Sequence, residues 1–207
     1  MAMRFAEIQE HLRRFRVGIA GAGGLGSNCA VALARTGVGT LVISDFDKVE
    51  RENLNRQYYF TDQVGKMKTV ALKENLARVN PGVFVIIYQK KLNRENIPVI
   101  FAGCDVIVEA FDRAEMKEML IGTVQQMMPG TTVVAASGLA GWGRSNDIRH
   151  RKIDDTLHVC GDEETETGDD MPPMAPRVGI AASMQANVVT EILLNKKLND
   201  TTGGNNP

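Results

Sequence analysis

Val17-Gly18-Ile19-Ala20-Gly21-Ala22-Gly23-Gly24-Leu25-Gly26 is the stretch that decides how this chain folds. A short apolar run leads into G-x-G-x-x-G, formed by Gly21, Gly23 and Gly26, and an apolar helical pattern follows to about Arg35, where Gly37 is the stop signal. A strand that turns through glycines into a helix lets the backbone approach a phosphate at a helix end that attracts anions. Nucleotide binding is the expectation. The same hexapeptide fits a purely structural turn, so its surroundings must decide.

Reading outward, a first helix is expected from Arg4 to Arg14 and a second strand from Thr40 to Ser44, with a polar loop through Asn53 and Arg56. A helical pattern from Lys66 to Val79 stops at Pro81 and Gly82. Strands are then expected at Val83 to Tyr88, Asp105 to Ala110 and Thr131 to Ala136, with helices at Asn96 to Ala102 and Ala114 to Met127 between them. Short apolar strands alternating with helices predict an α/β fold, a Rossmann-like doubly wound and mostly parallel sheet covered on both faces. Two runs beyond Ser137, Ile148 to Lys152 and Leu157 to Cys160, predict an antiparallel C-terminal extension. Asp162 to Asp170 holds six acids and no base, and reads as a mobile loop before a last helix from Val178 to about Leu194. Residues 1–196 are expected to form one domain and 197–207 a disordered tail, in which Asn205, Asn206 and Pro207 follow Gly203 and Gly204.

Composition narrows the classes. The chain has 207 residues with 24 Lys+Arg against 25 Asp+Glu, without the basic excess of a nucleic-acid binder. No apolar stretch is long enough for a membrane span, and no targeting segment is read. Three cysteines, none in a C-x-x-C pair, argue against disulfides and a zinc ribbon, so no zinc is expected and a reducing cytoplasm fits. Cys29 and Cys104 read as small buried hydrophobes, whereas Cys160, just before the acidic loop, is the candidate exposed thiol. His11, His150 and His158 show no ligand spacing.

Asp45 stands nineteen residues beyond Gly26 at the end of the second strand, where a carboxylate can hold ribose hydroxyls. Asp45-Phe46-Asp47 then leads through Asn53 to Arg56 and Gln57, with Lys66 and Lys68 opening the next helix. A dinucleotide's two phosphates are served by the glycine turn, whereas a triphosphate brings about four negative charges that call for extra Arg and Lys. That cluster points to ATP, and its bland alternative is a solvated basic loop. Asp112 ends the fourth strand and shares the sheet rim with the glycine turn. One carboxylate plus phosphate oxygens suits Mg²⁺, and capping the following helix is the other use open to Asp112.

Together, Gly21-Ala22-Gly23-Gly24-Leu25-Gly26-Ser27, Asp45-Phe46-Asp47, Asn53-Leu54-Asn55-Arg56-Gln57, Lys68 and Asp112 resemble the ThiF/MoeB/HesA family, relatives of ubiquitin-activating enzymes. The likeness extends from about Val17 to Leu194 and is narrowest to the short ThiF-type sulfur-carrier adenylyltransferases. It implies transfer of AMP from MgATP to the C-terminal glycine carboxylate of a ubiquitin-like, ThiS-like sulfur carrier ending in Gly-Gly, with release of pyrophosphate, in thiamine biosynthesis. By the same resemblance Gly21, Gly23, Gly24, Gly26, Asp45, Asp47, Asn53, Arg56, Gln57 and Lys68 bind the nucleotide, Arg56, Lys68 and Asp112 act in catalysis, and Asp112 holds the metal. A homodimer is implied. Met174-Ala175-Pro176-Arg177-Val178-Gly179-Ile180 and Gln185-Ala186 also look like that family, whose crossover loop guides the carrier's tail. Longer relatives carry two C-x-x-C pairs that bind zinc, and this chain has none. The rivals are an NAD-dependent oxidoreductase, which leaves Arg56 and Lys68 unexplained, a related enzyme that adenylates a tRNA base, and a non-catalytic binder of ubiquitin-like proteins.

Overall fold

A computed structural model describes residues 4–196; the expected tail at 197–207 lies outside the described residues. Seven strands form one sheet in the order β3-β2-β1-β4-β5-β7-β6. They are β1 (Arg16–Ala20), β2 (Thr40–Ser44), β3 (Phe84–Tyr88), β4 (Val106–Glu109), β5 (Thr132–Ala136), β6 (Arg149–Lys152) and β7 (Leu157–Gly161). The first five run parallel and are reached through helices, as expected of short apolar strands buried on both faces.

Side chains that alternate along the strands split the core into two layers. On one side Ile19, Ile43, Val108 and Cys160 pack with α2 (Gly24–Thr36), α3 (Lys68–Val79) and α6 (Ala175–Asn195), and Leu12 of α1 (Phe5–Leu12) joins them. On the other, Val42, Ile107 and Val133 meet α4 (Ile97–Ile100) and α5 (Ala114–Met127). Gly18 faces this second layer, where a Cβ would lie 2.7 Å from the Phe101 ring.

The C-terminal extension is the expected antiparallel pair, β6 against β7. β7 adds parallel to β5, and only the edge strand β6 is antiparallel. Inserting β7 between β5 and β6 buries Cys160 completely, so the exposed thiol expected there is corrected to a core residue whose pKa burial pushes up to about 12. A thiol held neutral in that way is a poor nucleophile.

The acidic segment is also no free loop at its start. Asp162 forms an ion pair with Arg177, both side chains being 2% exposed, and Glu163 pairs with Arg151. Arg177, in the first turn of α6, donates further to the carbonyls of Gly143 at 2.7 Å and Arg144 at 3.0 Å. The glycine-rich chain after β5 is thereby tied to α6.

Candidate functional site

The strand order reverses between β1 and β4, so the turn after β1 opens at the topological switch point, where open α/β sheets take their ligands. Its glycines have different jobs. Gly21 has φ +100°, and a Cβ there would lie 2.8 Å from the Ala110 carbonyl; one on Gly26 would lie 1.9 Å from the Gly21 carbonyl. Backbone packing alone requires both. A Cβ on Gly23 would instead meet Gln57 Nε2 at 3.8 Å, and one on Gly24 would meet Val178 at 3.0 Å and Arg56 Cγ at 3.6 Å. α2 begins here without a side-chain cap, which leaves its first amides as donors for an anion.

Asp45 leaves the end of β2 and turns back onto the glycine turn. Its Oδ2 accepts the Ala22 N–H at 2.7 Å and its Oδ1 the Asp47 N–H at 2.7 Å. Burial pushes the Asp45 pKa up, against the pull of those two amides and of Lys68. The Tyr59 hydroxyl donates to the Ala22 carbonyl at 2.7 Å, so residue 22 is gripped at both ends.

A 3₁₀ turn, Arg51–Asn55, brings the next residues over the start of α2. The Asn53 carbonyl accepts the N–H groups of Arg56 at 3.2 Å and Gln57 at 3.0 Å, while Asn53 Oδ1 accepts the Glu50 N–H at 3.3 Å. Asn28 of α2 donates to the Arg56 carbonyl at 3.0 Å, and the Ser27 hydroxyl accepts the Tyr58 N–H at 2.9 Å. Those ties lay Gln57 and Arg56 against Gly23 and Gly24. Gln57 Oε1 is buried without a hydrogen-bond partner, an orphan that a bound polar ligand would satisfy. Arg56 is half-buried, and its guanidinium is steadied by Asn55 Oδ1 at 2.8 Å.

Lys68 is buried at the first residue of α3, where its Nζ meets Asp47 Oδ2 at 3.0 Å and its N–H donates to the Asp47 carbonyl at 2.9 Å. Asp47 thus links Lys68 to Asp45. Lys66 is engaged instead by Glu74 at 2.8 Å and takes no part in this linkage. Asp112 lies exposed just beyond β4, and the N-cap of α5 is Arg113 with no side-chain cap, so capping does not occupy the Asp112 carboxylate.

A sequence model described as the ThiF family matches residues 2–206. The chain belongs to the ThiF family. It is 32% identical over 203 residues to the adenylyltransferase and sulfurtransferase MOCS3 of Caenorhabditis briggsae, covering 95% of this chain and 49% of that protein. It is 39% identical over 146 residues to the adenylyltransferase and sulfurtransferase UBA4 of Candida glabrata, covering 70% of this chain and 33% of that one. The chain therefore spans about half or less of the curated relatives it matches. Among solved structures, E. coli tRNA N6-threonylcarbamoyladenosine dehydratase, TcdA, in complex with ATP superposes with a TM-score of 0.82 at 19% identity, covering 90% of this chain and 88% of that one. E. coli MccB in complex with ATP gives 0.67 at 23% identity, covering 90% and 57%. At those identities the two structures share the fold.

This ThiF-family site contains parts that the sequence did not announce. Tyr59 and Asn28 carry no motif, yet both fasten the glycine turn. Glu109, the last residue of β4, is fully buried on Lys117, with both carboxylate oxygens 2.9 Å from the ammonium. Its signal was a charge inside the apolar run Val106-Ile107-Val108-Glu109-Ala110-Phe111. Among the described residues no group of three or more His, Cys, Asp or Glu is gathered as a metal cage, and none of the helices is long and apolar enough to cross a membrane. Mg²⁺ needs no such cage, since it usually takes one or two carboxylates plus substrate phosphates, and the unengaged Asp112 carboxylate on the rim fits that donor set.

Proposed function

We propose that this chain is an adenylyltransferase that uses MgATP to activate the C-terminal glycine carboxylate of a ubiquitin-like sulfur carrier, in the cytoplasm, as a homodimer and within thiamine biosynthesis. The observation that carries the proposal is the convergence of Arg56 and Gln57 on Gly24 and Gly23 at the uncapped start of α2. The adenylyltransferase activity of the MOCS3 and UBA4 relatives and the ATP bound in TcdA and MccB support it.

In the reaction a carboxylate oxygen attacks the α-phosphorus, the bond from that phosphorus to the bridging oxygen breaks, and pyrophosphate leaves. Two anions must approach, so charge neutralisation and alignment dominate and no protein nucleophile is needed. Asp45 holds the ribose side of the turn. Gly23, Gly24 and the first amides of α2 would take the phosphates with Asn53, Arg56 and Gln57, and Lys68, held 3.0 Å from Asp47 Oδ2, would add its charge by exchanging that carboxylate for a phosphate oxygen. Asp112 would hold Mg²⁺, which supplies further neutralisation of phosphate charge.

ATP–pyrophosphate exchange with candidate carriers, added one at a time, tests this. Exchange should require a carrier with an intact Gly-Gly end. Exchange driven by tRNA and not by any carrier would move the substrate to a nucleic acid, and NADH binding that ATP fails to displace would overturn the nucleotide assignment.

A further inference from the structure

The fully buried Glu109 asks for an explanation beyond stability, because a buried ion pair is often no more stabilising than apolar side chains of the same volume. Its bonds are specific. Glu109 Oε1 accepts the Phe111 N–H at 2.7 Å and Oε2 accepts the Ala136 N–H at 3.3 Å, while Lys117 bonds both oxygens and also donates to the Phe111 carbonyl at 2.8 Å. Three donor groups thus make four bonds to the carboxylate and favour its charged form, against burial, which pushes its pKa up.

Phe111 is therefore gripped at its N–H by Glu109 and at its carbonyl by Lys117. That carbonyl belongs to the peptide plane whose nitrogen is Asp112's. Fixing the plane fixes the direction in which Asp112 leaves the sheet. The same turn lies on the glycine loop, where a Cβ on Gly21 would be 2.8 Å from the Ala110 carbonyl and 3.5 Å from the Phe111 ring. From behind, Gln185 of α6 donates to the Glu109 carbonyl at 2.9 Å and the Val134 carbonyl at 3.1 Å. Neutral side chains could satisfy the two amides. The charged pair seated on both ends of Phe111 ties the Phe111–Asp112 peptide with charge-assisted bonds, which are stronger than neutral ones.

We propose that Glu109 and Lys117 are positioning residues for Asp112, setting its carboxylate to receive the divalent cation that accompanies the nucleotide. The inference rests on the assignment of Asp112 made above. Outer-shell partners of metal ligands typically contribute 10–100-fold to affinity, and an effect of about tenfold or more is expected.

The test uses the full chain with ATP, and Mn²⁺ as the probe, with free Mn²⁺ followed by electron paramagnetic resonance and amide exchange read at Phe111. Glu109→Gln should weaken Mn²⁺ retention in the ATP complex about tenfold and speed Phe111 exchange. Should Glu109→Gln fail to fold with an unpaired Lys117, the double variant Glu109→Gln, Lys117→Met removes both charges and should show the same two changes. Asp112→Asn should weaken Mn²⁺ without altering Phe111 exchange, and combining it with Glu109→Gln should cost little more, because both act through one ligand. A Mn²⁺ curve unchanged by Glu109→Gln or the double variant, or losses that simply add to those of Asp112→Asn, would overturn the positioning role alone. A curve unchanged by Asp112→Asn itself would overturn the ligand assignment and the positioning role with it.

Discussion

Asp45 and Ala22 meet through a 2.7 Å bond from the Ala22 N–H to a carboxylate oxygen whose partner oxygen accepts the Asp47 N–H at 2.7 Å. The acid at the end of β2 therefore shapes the glycine turn at the end of β1 as well as facing any ligand held there. Shape and binding are coupled at this residue. Asp45→Asn tests the coupling, since an amide can accept only one of the two N–H groups and turns its own NH₂ toward the other. An unsatisfied buried donor costs about 1–3 kcal/mol, so the variant should melt lower and lose ATP affinity together. Calorimetry showing weaker ATP binding at unchanged stability would confine Asp45 to ligand contact.

Arg56 differs from Lys68 in being only half-buried and held by no carboxylate, its guanidinium steadied by Asn55 Oδ1 at 2.8 Å and the Glu52 carbonyl at 3.5 Å. If it neutralises charge that grows as the carboxylate reaches the α-phosphorus, Arg56→Ala should lower turnover by about 10²–10³-fold. Pyrophosphate exchange at saturating ATP and carrier measures it. An unchanged rate would remove Arg56 from catalysis.

The glycines separate backbone necessity from tolerance. Gly26→Ala forces a Cβ to within 1.9 Å of the Gly21 carbonyl oxygen, a backbone atom that cannot swing aside as the end of a flexible side chain could. A destabilisation of about 1–3 kcal/mol or more is expected. Gly122, exposed in α5 with nothing within 4 Å, is the control, and Gly122→Ala should stabilise by about 0.5–1 kcal/mol. Urea midpoints of the two variants should move in opposite directions.

What was legible in the sequence was local. β1, the glycine turn and the start of α2 follow one another within a few residues, so periodicity and the glycine spacing suffice to place them. Asp45 was placed by its distance from Gly26 because a single crossover of standard length separates β1 from β2. Cys160 was misplaced for the opposite reason. Whether a four-residue apolar run becomes an edge or an interior strand depends on what pairs with its far side, and β7 was inserted between β5 and β6 by contacts that no local pattern encodes. Asp162 looked like one acid among six until its partner Arg177, fifteen residues on, took it out of solvent. Glu109 broke an apolar run, but its partner Lys117 lies eight residues on, in the first turn of the next helix, and a solvated strand-end acid would read the same.

His158 reports on pH from its place beside His150. Their rings are inclined by 11° with centroids 5.0 Å apart and Nε2 of His150 2.8 Å from Nδ1 of His158, distances that set the rings edge to edge and sharing one proton. A second proton between the facing nitrogens is excluded. His158 is accordingly held below its ordinary value of 6.5 by burial, then by the charges of His150 and Lys152, against Glu191 and Asp154. A base with a lowered folded pKa takes up less acid folded than unfolded. Stability should therefore be full above the unfolded value of 6.5 and fall as the pH drops through it, levelling below the folded pKa. Urea midpoints at pH 7.5 and 5.5 should show the loss, and His150→Gln should shrink it; an equal loss in the variant would assign it to other groups.

Asp162 and Arg177 hold the other end of the molecule's rim. Arg177 reaches the carbonyls of Gly143 and Arg144 while Asp162 Oδ1 accepts the amides of Glu164 at 2.9 Å and Thr165 at 2.8 Å, so one buried pair joins the chain after β5, the acidic segment and α6. Gly138 must be glycine beneath it, because a Cβ there would lie 1.9 Å from Asp162 Oδ1. Removing one partner leaves the other charged and buried, a loss of about 3–5 kcal/mol. Asp162→Ala and Arg177→Met should each lower the melting temperature strongly, whereas the double variant should recover part of the loss, since no uncompensated ion remains. Val178, next to Arg177, packs over Gly24, so loosening this end of α6 should also weaken ATP binding. Singles and double that destabilise additively would show that the two residues act separately.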